Sequence, residues 1–157
     1  MELTFFVSIA MFLLLAIFLI KPKHLHLFEI IFIWLSGIFV YEVFISIAVM
    51  NYKVIELSMA YKKYWAFVIN QAIVVPLLIV WGVNWFRSSN SSLIKIMYMI
   101  LFTMFLTGIE FFSIKFGMNK YIDWNLLGSA LVFFLIMLFV ALINAWFMRI
   151  LKSEVKV

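Results

Sequence analysis

The sequence predicts an all-α, polytopic bundle of about five transmembrane helices, a single domain over residues 1–157 with no soluble part of any size. Three observations carry that prediction. Hydrophobic residues make up 68% of the chain and charged residues only 12%, whereas a soluble domain is roughly half apolar and a quarter charged. Mean hydropathy is +1.21. The charges also fall in short clusters, and the apolar stretches between them reach the length, about 18 residues or more, that a bilayer crossing requires.

The first span is expected at 3–20. It carries Glu2 rather than basic residues at its start, and no small-residue cleavage motif follows it, so it reads as a retained span and not a secretory leader. Lys21-Pro22-Lys23 ends it, because proline lacks a backbone donor and lysine prefers headgroups. The second span is expected at 27–50. The stretch Asn51 to Tyr64 sets Lys53, Glu56, Lys62 and Lys63 among apolar residues, which predicts a short interfacial segment with helical character.

The third span is expected at 65–86, from the aromatic anchor Trp65 to the residue before Arg87. The Ser88-Ser89-Asn90-Ser91-Ser92 run after it is the clearest loop in the chain. The fourth span is expected at 93–114. A polar link, Lys115 to Asn125, leads to the fifth at 126–150 and a short tail. No repeat or linker divides the chain.

With five spans the termini fall on opposite sides. Lys53, Lys62, Lys63, Lys115 and Lys120 then lie with the amino terminus. Lys21, Lys23, Arg87, Lys95, Arg149, Lys152 and Lys156 lie on the other side. Seven against five predicts an external amino terminus and a cytoplasmic carboxyl terminus. The formal net charge of +5 sits at helix ends, so it points to the lipid bilayer as partner and away from nucleic acid. With no cysteine and only His24 and His26, neither a metal nor a cofactor is expected. No phosphate loop, nucleophile elbow or metalloprotease motif is present, so catalytic machinery is not expected.

Ionisable residues inside spans are costly and therefore functional candidates. Glu42 and Glu110 are the two read as lying within spans, and both fall in the half of the bundle nearer the amino-terminal side. Asn70 and Gln71 enter at that level on the third span, and Asp123, Trp124 and Asn125 stand at the mouth of the fifth. Thr103, Thr107 and Glu110 share one helix face, and Ser46 lies one turn from Glu42. Such stripes are expected to face the bundle interior. Three readings stay open for this constellation: hydrogen-bonded glue between helices, a site for a lipid, ion or small molecule, and proton handling. Pro76 is expected to kink the third span below Asn70 and Gln71. Asn144 is read as a helix contact.

The run Gly108-Ile109-Glu110-Phe111-Phe112, the run Lys120-Tyr121-Ile122-Asp123-Trp124-Asn125, and the placement of Pro76 and Asn84 resemble a family of small five-span membrane proteins from spore-forming Gram-positive bacteria. The resemblance extends over nearly the whole chain. It implies a bacterial cell-membrane location and no defined activity. Where that family often continues with aromatics after the Trp-Asn pair, this chain has Leu126-Leu127. The expectation is a non-enzymatic membrane protein, either a subunit of a complex with another protein or further copies of itself, or a binder of lipid or an apolar ligand. The alternative is a proton-coupled transporter or channel component using Glu42 and Glu110.

Overall fold

The computed structural model describes residues 25–154, with side chains to residue 151. Among the described residues, four helices are long and apolar enough to cross a membrane: α1 (Leu27–Asn51), α2 (Tyr61–Ser88), α3 (Ser92–Lys115) and α4 (Leu126–Glu154, apolar as far as Leu151). They fall on four of the five expected spans. The expected span at 3–20 lies outside the described residues.

The helices form a ring in chain order, with α1 also packed on α4 and with α2 and α4 touching across the centre. α2 is the central element: two-thirds of its apolar window is buried, against about a fifth to a third for the other three. A helix that is apolar all round belongs in a core. Ile33, Leu77, Ile79, Val80, Leu106, Met137 and Val140 form its dry middle. Gly82 lets α2, α3 and α4 approach closely, since a Cβ there would meet Phe102 Cγ at 3.1 Å and run into Met137 Cε. The outward faces remain apolar, as along Leu27, Ile31, Leu35, Phe39, Val43 and Ile47 of α1.

The segment expected to be interfacial and helical contains a strand instead. β1 (Ile55–Leu57) pairs antiparallel with β2 (Asn119–Tyr121), and Glu56 faces Lys120 across the pair. Two features direct the chain into this ribbon. Val54, Ile55 and Leu57 favour extended backbone, and Lys53 takes the left-handed conformation that turns the chain out of α1. On the other strand, Gly117 at φ 66° ends α3 in a Schellman motif. Its N–H donates to the Ile114 carbonyl and that of Met118 to the Ser113 carbonyl. Ser58 to Met118 and Ile122 to Val54 extend the ladder. The ribbon ties the α1–α2 and α3–α4 connections together at one end of the bundle, the ribbon end; the Ser-rich loop marks the far end.

Pro76 is accommodated differently from a simple kink. The turn before it, Asn70–Val74, is π-helical, and the Val75 N–H donates to the Asn70 carbonyl. The wider turn absorbs the missing donor, and it carries Asn70 and Gln71. α1 likewise ends in a π turn, Ile47–Asn51, and α2 begins four residues before the expected Trp65, at Tyr61. Tyr61, Tyr64 and Trp65 are all exposed there.

Candidate functional site

At the ribbon end, four segments place polar groups around Glu110. This residue is 3% exposed. It lies on α3 one turn from Ser113, so both side chains enter the same gap between α3, β2 and α2. Tyr121 on β2 donates its hydroxyl to Glu110 Oε1 at 2.6 Å. Tyr121 Oη also lies 2.6 Å from Ser129 Oγ on α4, and Trp124 Nε1 donates to Ser129 Oγ at 2.9 Å. An indole nitrogen can only donate. The direction of the chain is therefore set: Trp124 donates to Ser129, Ser129 to Tyr121, and Tyr121 to Glu110. Burial first, and the neighbouring Glu110 carboxylate second, push the Tyr121 phenol well above its ordinary range.

Beside this chain runs a crevice lined by Tyr41, Asn70, Glu110, Ser113 and Asn119 and closed by Phe67 and Phe133. It is too narrow to seat a water. Asn70 Nδ2 donates to Ser113 Oγ at 3.4 Å. Several buried polar atoms find no partner among the described residues: Glu110 Oε2, both amide atoms of Asn119, and Gln71 Nε2. Native proteins leave few such groups, because each carries a desolvation cost of about 1–3 kcal/mol.

Glu110 and Asn70 thus share the crevice and Trp124 joins Glu110 through the hydrogen-bonded chain, whereas Gln71 is buried next to Asn70 without lining the crevice. Thr107 is half-buried and spends its hydroxyl on the Thr103 carbonyl at 2.8 Å, while Thr103 Oγ1 is buried without a partner. The other expected members fall elsewhere. Glu42 and Ser46 are exposed on the outward face of α1, not turned to the interior. Tyr41 and Ile45, one position before each, are the residues that pack inward. Asn125 is exposed and caps α4, its Oδ1 accepting from the Gly128 N–H at 2.7 Å. Asp123 is exposed. Tyr121, Ser129, Ser113 and Asn119 were not among the expected site residues. Ser113 was within reach of the helical spacing from Glu110, whereas Asn119 and Tyr121 depend on a strand pairing between connections more than sixty residues apart.

The far end holds a second buried acid among the described residues. Glu29 is 1% exposed; its Oε1 pairs with Arg87 Nη1 and its Oε2 accepts the His26 backbone N–H at 2.8 Å. It lies in the first turn of α1, where a carboxylate is favoured by the helix dipole. It falls inside the span expected at 27–50 but was not named among the acids expected within spans. Among the described residues, no group of three His, Asp or Glu side chains could hold a metal ion. Comparison with protein-family models, with curated proteins and with solved structures finds no match to this chain.

Proposed function

We propose that this chain is a small multi-pass protein of a bacterial cell membrane that works without catalysis, holding the polar end of a lipid or apolar ligand at the ribbon end of its bundle. The apolar outer faces and the exposed aromatics Tyr61, Tyr64 and Trp65 support the membrane reading. The resemblance to small five-span proteins supports a fifth span at 3–20. The positive-inside count supports a ribbon end outside the cell and a far end in the cytoplasm.

The observation that carries the ligand reading is the set of polar atoms at the crevice that find no partner among the described residues: Glu110 Oε2 and both amide atoms of Asn119. Together they offer donors and acceptors that a hydroxylated or amide-bearing group would satisfy in one step. The ribbon must shift to admit it, since the crevice is closed. Proton coupling has less support. An indole cannot accept a proton, so the hydrogen-bonded chain ends at Trp124. Below Glu110 the core is the apolar layer of Ile79, Val80, Met137 and Val140.

The test is to purify the chain in mild detergent and identify co-purifying amphiphiles by mass spectrometry, comparing wild type with Glu110→Gln and Asn119→Leu. A bound amphiphile that both variants lose is the expected result. An unchanged set, with a lowered unfolding midpoint in both variants, would assign these residues to helix packing and reject the ligand reading.

A further inference from the structure

At the far end, a cavity of about 250 Å³ opens between the end of α2 and the stretch of α4 from Ala141 to Arg149. Arg87 and Arg149 stand at its polar side, and Val83, Ala141 and Ala145 form its floor. The two alanines leave the space. Asn144 also lines it, yet is 1% exposed and keeps its Oδ1 without a partner. This is a buried acceptor on the wall of a cavity bordered by guanidinium groups.

The charges are unevenly committed. Arg87 is paired with Glu29, whereas Arg149 has no ion pair among the described residues. Lys95 lies over the Phe86 ring, 5.3 Å from its centroid, and adds positive field at the same end. α2 finishes here, so its terminal carbonyls contribute partial negative charge that the arginines offset. What remains is a modest positive site, suited to one negative charge rather than two.

We propose that this cavity binds the headgroup of a phospholipid that carries a monoanionic phosphodiester and a free hydroxyl. The phosphate faces Arg149 and the outer side of Arg87, the hydroxyl donates to Asn144 Oδ1, and the glycerol carbons rest on Val83, Ala141 and Ala145. A guanidinium offers several N–H donors in a plane, so Arg87 can serve the phosphate while held by Glu29. The volume lies below the ~300–1,000 Å³ of clefts that enclose drug-sized ligands, a size for a headgroup whose acyl chains stay outside. Water would also satisfy Asn144, but a hydroxyl makes the same bond and brings the phosphate with it. The lipid as source, rather than free glycerol phosphate, rests on the membrane reading above. The site is separate from the one at the ribbon end.

Native mass spectrometry of the full chain in detergent micelles tests this, with phosphatidylglycerol, phosphatidylethanolamine, phosphatidylcholine and soluble glycerol 3-phosphate as probes. Phosphatidylglycerol is expected to bind about tenfold tighter than the choline lipid, a difference of ~1.4 kcal/mol. Arg149→Gln, an exposed position outside the core, should weaken it by a similar factor. Asn144→Leu should erase the preference for the hydroxylated headgroup. Equal binding of all three lipids, or of wild type and Arg149→Gln, overturns the proposal. Glycerol 3-phosphate binding as tightly as phosphatidylglycerol overturns the lipid source. Binding in micelles is read independently of alkaline extraction of cell membranes, which tests the membrane reading; release of the chain by alkali would contradict that reading alone.

Discussion

The two acids buried in this bundle, Glu110 at the ribbon end and Glu29 at the far end, are held by different chemistry. Glu110 accepts from a neutral hydroxyl at the end of a directed chain and leaves one oxygen unmet. Glu29 has both oxygens occupied, one by a guanidinium and one by a backbone N–H. The first arrangement is incomplete and lies beside the two-stranded ribbon, whose Tyr121 holds it. The second is complete and pins α1 to the end of α2. Between them lies the apolar layer of Ile79, Val80, Met137 and Val140. A polar group in lipid can stand as structure or stand ready for a ligand, and the number of its unmet atoms separates the two.

The largest expected effect lies at the complete end. Arg87→Met leaves Glu29 buried without its counterion. Breaking a fully buried pair in this way costs about 3–5 kcal/mol, and the Arg87 side chain is 33% exposed, so the loss should fall toward about 2–3 kcal/mol after solvent screening. Adding Glu29→Gln should recover much of it, because the orphaned charge is then gone. Unfolding midpoints in detergent for the single and double variants check this. A single variant as stable as wild type would mean that the pair does not tie α1 to α2.

At the incomplete end the expected effect is smaller. Tyr121→Phe removes the hydroxyl that joins Glu110 to Ser129 and should cost about 1–3 kcal/mol. It also carries a pH signature. Because the phenol is held above its ordinary value of about 10, both states keep it neutral below that pH. As the pH rises past about 10, the unfolded chain releases the proton while the folded chain retains it, so stability declines. The gap between wild type and Tyr121→Phe should therefore narrow from pH 9 to pH 11. A constant gap would show that Tyr121 is not buried against Glu110.

The legibility of the two ends in the sequence differs for physical reasons. Helix positions follow from hydropathy and charge clusters, which is why the spans at 27–50, 93–114 and 126–150 agree with α1, α3 and the apolar part of α4 to within a residue. Glu110, Asn70 and Gln71 were legible because a polar residue inside an apolar helix stands out. The ribbon was not, since its two strands are three residues each and gain their pairing only from each other. Ser129 and Tyr121 become site residues through that pairing. Glu29 was not named although it lies within the span expected at 27–50, and its partner Arg87 is fifty-eight residues away and reaches it only in the fold. Facing direction was the other loss: α1 carries apolar residues on every side, so no stripe fixed which way Glu42 points.

Glu42 offers the smallest effect and the sharpest control. It matches Glu110 in residue type and in bilayer half, and the sequence gives no reason to separate them. In the fold it is exposed, with no hydrogen bond or ion pair among the described residues. Tyr41, its neighbour, takes the inward position and stacks on Phe133 with ring centroids 5.5 Å apart. Glu42→Gln should therefore change the unfolding midpoint by no more than a substitution at an unengaged surface, within about 0.5 kcal/mol, and leave the co-purifying amphiphiles unaltered. Glu110→Gln, by the same conservative change, should alter those amphiphiles. If the two variants behave alike, the distinction between an outward and an inward acid fails, and with it the assignment of the site to the four segments around Glu110.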